Sequence, residues 1–128
     1  MLEVLSTGCV VDWAMVGSRV TCNPPVLYTD EDILVLVSDH GYFRSMALST
    51  GYTVGGSLVL DSRSPLRADD RFSSYEKGNI NLIVTEDYGF YNKFIAATSV
   101  AKRLNLLEKD DRVALFQAVL YANSCQMK

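Results

Sequence analysis

The stretch Asp30-Glu31-Asp32-Ile33-Leu34-Val35-Leu36-Val37 decides the fold, because it joins an acidic cluster to an unbroken aliphatic run. The aliphatic run, Ile33 to Val37, is typical of a strand that is buried on both faces and lies inside a sheet. Two carboxylates, those of Asp30 and Asp32, stand two positions apart and therefore point to one face of a strand. We predict a central strand over 32–38 with carboxylates at its start.

The segment upstream has the composition of a strand that ends in a tight turn. Val10 to Val16 is apolar except for Asp12, and Gly17-Ser18 follows directly. Glycine allows a close approach of the backbone, and successive N–H groups in a turn form a concavity that binds anions. We therefore predict a strand over 10–17 and a turn that can hold a phosphate group.

A hairpin is predicted downstream, over residues 72–85. Phe72 to Tyr75 forms its first strand, Glu76-Lys77-Gly78 its turn and 79–85 its second strand. Because side chains alternate along a strand, one face of the second strand is fully apolar and the other begins with Asn81.

Three helices complete the predicted architecture, over residues 42–50, 88–105 and 109–122. Ser38 or Asp39 is expected to cap the first of them. The second has apolar residues at helical spacing, which predicts one buried face formed by Phe90, Phe94, Ala97, Ala101 and Leu104. The fold class is α/β (α+β), with a small mixed sheet packed with helices and one domain over residues 1–128.

The composition narrows the class of function. The chain has 128 residues, of which 48% are hydrophobic and 21% charged, as in ordinary globular domains. A formal net charge of −3 disfavours a general binder of polyanions, although a local basic face stays open. No apolar run is long enough to cross a membrane and no signal peptide is recognised, so we expect the cytoplasm. Three scattered cysteines predict neither a zinc site nor a disulfide framework.

The acidic pair and the Gly17-Ser18 turn together indicate chemistry. Asp30 and Asp32 can share a divalent cation such as Mg²⁺, which also takes phosphate oxygens as ligands. The turn would offer N–H groups and a hydroxyl to an outer phosphate. In the alternative interpretation, the two carboxylates are solvated side chains at the start of the strand and bind no ligand.

This arrangement resembles the nucleotidyltransferase fold of the DNA polymerase beta superfamily. The family's motif is a hydrophobic strand, Gly-Ser, a short spacer and Asp-x-Asp flanked by apolar residues. In this sequence the motif is Ala14-Met15-Val16-Gly17-Ser18, followed after a spacer by Asp30-Glu31-Asp32-Ile33-Leu34-Val35. The resemblance covers residues 10–105.

The resemblance implies a Mg²⁺-dependent transfer of a nucleotidyl group from a nucleoside triphosphate to an unidentified acceptor. It assigns metal binding and catalysis to Asp30 and Asp32, and binding of the nucleotide phosphates to Gly17, Ser18 and Arg19. The chain also resembles small phage-encoded members of the group, for which the host cytoplasm is the expected location.

The resemblance places the family's third carboxylate on a later strand, here 79–85, where this sequence has Asn81 or Asn79 instead. Nearby acidic residues that could substitute for it are Asp61, Asp69, Asp70, Glu86 and Asp87. An amide can coordinate a metal through its carbonyl oxygen, but it carries no charge and cannot act as a base. The alternative function is therefore a catalytically degenerate fold, a binding or regulatory module for a host protein, a nucleotide or a nucleic acid. In a third interpretation, the chain acts only with a protein partner that selects the acceptor.

Other polar residues also allow two interpretations. His40, the single histidine, is interpreted as a surface turn residue rather than an acid or base. Arg63, Arg67 and Arg71 are interpreted as part of a solvated loop rather than as phosphate contacts.

Overall fold

The computed structural model describes residues 3–22, 31–55 and 72–120 of the chain. Within them, the strands are β1 (Val10–Val16), β2 (Glu31–Val37), β3 (Thr53–Gly55), β4 (Ser73–Lys77) and β5 (Ile80–Thr85). The helices are α1 (Ser18–Thr21), α2 (His40–Ser49), α3 (Tyr88–Leu104) and α4 (Lys109–Leu120), and a 3-10 turn over Glu3–Ser6 precedes β1. This mixed α/β architecture confirms the predicted fold class.

The strands form one sheet in the order β1-β2-β5-β4-β3. β2 and β5 run parallel, whereas β1, β4 and β3 each pair antiparallel with a neighbour. The aliphatic run Ile33–Val37 is buried, as expected for the inner position of β2. β2 begins at Glu31, one residue before the predicted start, because the Glu31 N–H donates to the carbonyl oxygen of Asn79 at 2.8 Å.

The predicted hairpin is present, but its turn is shorter than expected. β4 continues through Glu76 to Lys77, which are paired with Asn81 and Ile80. The predicted turn at Glu76-Lys77-Gly78 is therefore wrong, and Gly78 and Asn79 form a two-residue connection. Gly78 has a φ of 60°, the left-handed conformation that favours glycine in such turns.

Helices cover both faces of the sheet. On one side, here called the α3 face, α3 and α4 pack over Leu34, Leu36 and Ile83. On the other side, the α2 face, α2 and the 3-10 turn pack over Ile33, Val35 and Leu82. Because successive side chains of β2 and β5 point to opposite faces of the sheet, the core is divided into two layers, one on each face.

The helices agree with the predicted ones apart from their ends. α2 begins at His40, two residues before the predicted start, because the Asp39 side chain accepts a hydrogen bond from the Tyr42 N–H and caps the helix. α3 ends at Leu104, which is 60% exposed, so its predicted place on the buried face is wrong. Asn105 stops the helix there, with a left-handed φ of 51°.

β3 and the single-turn helix α1 were not predicted from the sequence. None of the helices in the described part of the chain is long and apolar enough to cross a membrane. Cys9 and Cys22 are buried free thiols, and Cys125 lies outside the described residues.

Candidate functional site

Asp32 and Asn81 lie side by side at the start of the parallel pair β2–β5. They are register partners, and Nδ2 of Asn81 donates a hydrogen bond of 3.2 Å to Oδ1 of Asp32. Each precedes a residue of the α3-face core by two positions, Leu34 in β2 and Ile83 in β5, so both side chains lie on that face. The structure thus brings together two residues that the sequence assigned to the site.

The carbonyl oxygen of the Asn81 side chain is the unusual atom of this pair. Asn81 is only 3% exposed, and its Oδ1 atom has no hydrogen-bond partner in the structure as described. A buried acceptor left in this state carries a penalty of about 1–3 kcal/mol. Most buried polar atoms in proteins have partners, so an exception calls for an explanation such as an ion or a ligand.

Gly17 packs directly against Asp32. Its φ of 82° lies in the left-handed region that favours glycine. A Cβ atom at Gly17 would collide with Oδ2 of Asp32 and would lie 3.0 Å from the Cβ and Cγ atoms of that residue. One oxygen of the Asp32 carboxylate therefore lies beside Asn81 and the other beside Gly17.

The remaining predicted site residues are only partly described. Ser18 and Arg19 are the first residues of α1, directly after Gly17, and only their backbone is described. Asp30 lies outside the described residues, so its place beside Asp32 stays a prediction. The three loop arginines, Arg63, Arg67 and Arg71, also lie outside them.

A polar network anchors α1 at its end. Nη1 of Arg112 in α4 donates to the carbonyl oxygens of Leu106 and Leu107, each at 2.8 Å, and to Sγ of Cys22 at 3.2 Å. Cys22 directly follows α1. Arg112 therefore ties the segment that carries Ser18 to the connection between α3 and α4.

The fit of Mg²⁺ to this site depends on hard oxygen donors. Residues 3–22, 31–55 and 72–120 contain no group of three or more His, Cys, Asp or Glu side chains that could hold a metal ion. Asp32 offers a carboxylate, and Asn81 offers a carbonyl oxygen without a partner. Because Mg²⁺ binds proteins through one or two carboxylates together with substrate phosphates and water, this small donor set fits it.

Glu76 is the residue near the site that sequence reasoning missed. It is the register partner of Asn81 on β4, although the sequence analysis placed it in a turn. The two-residue turn at Gly78 and Asn79 was the signal that could have identified it, because that turn fixes the register of the hairpin.

A second polar cluster lies at the opposite ends of the same strands. A hydrogen bond of 2.7 Å joins Nε2 of His40 to Oη of Tyr75, and the backbone N–H of His40 donates to Glu86 at 2.6 Å. His40 is half-buried at the start of α2, and Tyr75 is fully buried. The prediction of a surface turn histidine is therefore wrong, because a buried tyrosine reaches its ring.

Tyr91 and Asp12 connect α3 to β1. Burial of Tyr91, together with the charge of Asp12 and a side-chain hydrogen bond to it, raises the pKa of Tyr91 to about 12. A neutral tyrosine donates its hydroxyl proton to the carboxylate, so this contact is maintained well into the alkaline range.

Comparison with known proteins identifies a shared fold. No protein family model and no curated protein matches the chain. The crystal structure of the conserved protein GrpB from Enterococcus faecalis is similar, with a TM-score of 0.51 and 13% sequence identity. The match covers 97% of this chain and 86% of GrpB. At this identity the likeness shows a shared fold alone.

Proposed function

We propose that the chain binds a nucleoside triphosphate with Mg²⁺ at Gly17, Asp32 and Asn81, and transfers the nucleotidyl group to an acceptor hydroxyl. The observation that carries the proposal is the buried Oδ1 atom of Asn81, which has no described partner and lies beside the Asp32 carboxylate. An acceptor atom of this kind, next to a carboxylate, suits a hard cation. The resemblance of the Gly17-Ser18 and Asp30-Glu31-Asp32 motif to that of nucleotidyltransferases supports the same interpretation.

The residues of the site have distinct roles in this proposal. The Asp32 carboxylate and the Asn81 carbonyl oxygen would hold Mg²⁺, with Asp30 as a further predicted ligand. When bound, the ion supplies positive charge that offsets the charge of the phosphates. The glycine backbone at Gly17 lets a phosphate approach closely, and Ser18 and Arg19 are the proposed polar contacts of the outer phosphates.

The reaction balances as a simple displacement. The acceptor oxygen forms a bond to the α-phosphorus, the bond from that phosphorus to the oxygen bridging to the β-phosphate breaks, and pyrophosphate leaves. The hydroxyl proton of the acceptor passes to solvent, directly or by way of the Asp32 carboxylate, and the amide of Asn81 takes no part in this transfer.

A binding or regulatory module is the second candidate function, and the neutral side chain of Asn81 favours it. With an amide at this position, the site has less negative charge for a cation than a third carboxylate would provide. Nucleotide and cation would then still bind, but without turnover. In this second candidate function, the chain would bind a protein or a nucleic acid as its partner.

Calorimetric titration with ATP, GTP, CTP and UTP, with and without Mg²⁺, tests the binding step. We expect Mg²⁺-dependent binding that Asp32→Asn weakens by at least about tenfold. The matched control is Asp111→Asn, an identical change at an exposed position in the first turn of α4. A folded wild-type chain that binds none of the four nucleotides would overturn the proposal.

Pyrophosphate release separates the two candidate functions. Release that requires Mg²⁺ and disappears in Asp32→Asn supports the transferase. Mg²⁺-dependent nucleotide binding without release, measured with hydroxyl acceptors that include nucleosides and RNA ends, supports the binding module.

A further inference from the structure

We infer that Glu76 is a cation ligand that complements Asp32 and Asn81, an inference that rests on the proposed function because it concerns the same site. Asn81 is paired with Asp32 on one side and with Glu76 on the other. These three residues therefore form a single row across β2, β5 and β4, here called the polar row.

The three side chains of the polar row lie on one face of the sheet. Directly opposite residues in neighbouring strands point the same way, so Glu76 shares the face of Asn81. The pair two positions further along the same strands, Ser74 and Ile83, lies on the same face and agrees with this assignment, because Ile83 belongs to the α3-face core. Cβ atoms of opposite residues in an antiparallel pair are about 4.5–5.5 Å apart, within reach of a glutamate side chain.

The orientation of the Asn81 amide directs its nitrogen, not its oxygen, to Asp32. Nδ2 donates to Asp32 on β2. In a planar amide, nitrogen and oxygen lie on opposite sides of the bond that carries the group, so Oδ1 faces away from the Asp32 oxygen that accepts this hydrogen bond. The buried acceptor without a described partner therefore needs a second ligand group, and Glu76 is the carboxylate paired with Asn81 on β4.

The Glu76 carboxylate is free to move to that oxygen. Glu76 is half-buried, and no described residue forms a hydrogen bond or ion pair with its carboxylate. The side chain rests over Gly55, where a Cβ atom would lie 2.5 Å from Oε2 and 3.0 Å from Cγ and Cδ. In the proposed cation-bound state, rotation about the side-chain bonds of Glu76 would carry the carboxylate from this glycine towards Asn81.

Charge and donor chemistry indicate a divalent cation as the occupant. A carbonyl oxygen flanked by two carboxylates provides hard donors with a formal charge of −2, which suits Mg²⁺ or Mn²⁺. Glu76 thereby supplies, from the neighbouring strand, the charge that the amide at position 81 lacks.

Titration with Mn²⁺ alone, followed by the electron paramagnetic resonance signal of the free ion, tests this assignment. We expect Glu76→Gln to weaken Mn²⁺ binding by at least about tenfold while the metal-free melting temperature stays close to that of the wild type. Glu3→Gln is the matched control, since Glu3 is exposed in the 3-10 turn on the α2 face. Glu76→Thr, a residue well suited to a strand, provides a second variant with the same expected loss.

Each outcome separates this inference from the proposed function. If Glu76→Gln and Glu76→Thr bind Mn²⁺ like the wild type while Asp32→Asn does not, Glu76 is not a ligand and the proposed function is unaffected. If Mn²⁺ binding depends on Glu76 but no nucleotide binds, the inference holds and the nucleotide function is wrong. A folded wild-type chain that binds no Mn²⁺ overturns the inference.

Discussion

The side-chain amide of Asn81 donates a 3.2 Å hydrogen bond to the Asp32 carboxylate, and its own carbonyl oxygen is buried without a described partner. The carboxylate is thus oriented by a neutral group, which adds no repulsion in the absence of a cation. A half-satisfied buried amide weakens the free protein, and a ligand that completes it recovers that cost. The arrangement of Asp32 and Asn81 therefore favours ligand binding at the expense of the stability of the ligand-free protein.

Asn81→Asp tests the balance between these two effects. The new carboxylate would replace a hydrogen-bond donor and repel Asp32, so we expect metal-free stability to fall by about 1–3 kcal/mol. Mn²⁺ should then raise the melting temperature of the variant more than that of the wild type. Thermal unfolding with EDTA and with Mn²⁺ measures both effects.

Asn92→Asp is the control for this variant, because Asn92 is exposed on α3 and undergoes the same chemical change. Equal stabilisation of Asn81→Asp and wild type by Mn²⁺ would argue against a cation beside Asp32.

Gly17→Ala should destabilise the fold in two ways. An alanine with φ near 82° costs about 1–2 kcal/mol, and its Cβ atom would also displace the Asp32 side chain. Gly78→Ala isolates the first effect, since Gly78 has a φ of 60° and no atom within 4 Å of an added Cβ. Urea unfolding should show the larger loss for Gly17→Ala; equal losses would mean that the contact with Asp32 has no energetic weight.

The raised pKa of Tyr91 predicts that the free energy of unfolding decreases at alkaline pH. Its pKa of about 12 exceeds the ordinary value for an unfolded chain, so the folded state holds a proton that the unfolded state releases. The stability contributed by Tyr91 is complete below about pH 10 and is lost as the pH rises towards 12. Urea unfolding at successive alkaline pH values should show a shallower decline for Tyr91→Phe than for wild type.

Asp12→Asn separates the effect of the Asp12 charge on the pKa of Tyr91 from the effect of burial. The variant should lower the pKa of Tyr91, which phenolate absorbance reports directly, and leave the burial-raised pKa of Tyr52 in place. An unchanged titration curve would contradict the assignment of Asp12 as the partner.

Arg112→Ala should loosen the connection that anchors α1. The guanidinium donates to two carbonyl oxygens at 2.8 Å, and charged hydrogen bonds of this kind contribute about 1.5–3 kcal/mol. Arg103→Ala is the control, because Arg103 is exposed in the last turn of α3. Chemical unfolding should show a loss of about 1–3 kcal/mol for Arg112→Ala and only a few tenths for the control.

The sequence was sufficient to predict elements with strong local periodicity. The aliphatic run of β2 and the spacing of Phe90, Phe94 and Ala97 in α3 follow from burial alone, and each of these elements occurs within two residues of its predicted bounds. β3 could not be predicted in this way, because three residues that include Gly55 carry no pattern. Its strand conformation depends on pairing with β4, which is a tertiary interaction.

The candidate site was predictable only as far as the motif extends. Asp32 was identified from the acidic pattern at the start of an apolar run and Asn81 from the resemblance to nucleotidyltransferases, and the structure brings the two together. Glu76 was missed because its position beside Asn81 depends on the register of a hairpin, and a shift of one residue would turn its side chain to the other face. The buried state of the Asn81 oxygen likewise depends on the packing of the whole α3 face.

The parallel pairing of β2 with β5 has a consequence for how the chain folds. The hairpin of β4 and β5 is local and can close early, but Asp32 and Asn81 are separated by 49 positions along the chain. A ligand that contacts both residues binds only those protein chains in which β2 and β5 are already paired. By mass action it would oppose the opening of the sheet at its centre and slow amide hydrogen exchange along both strands.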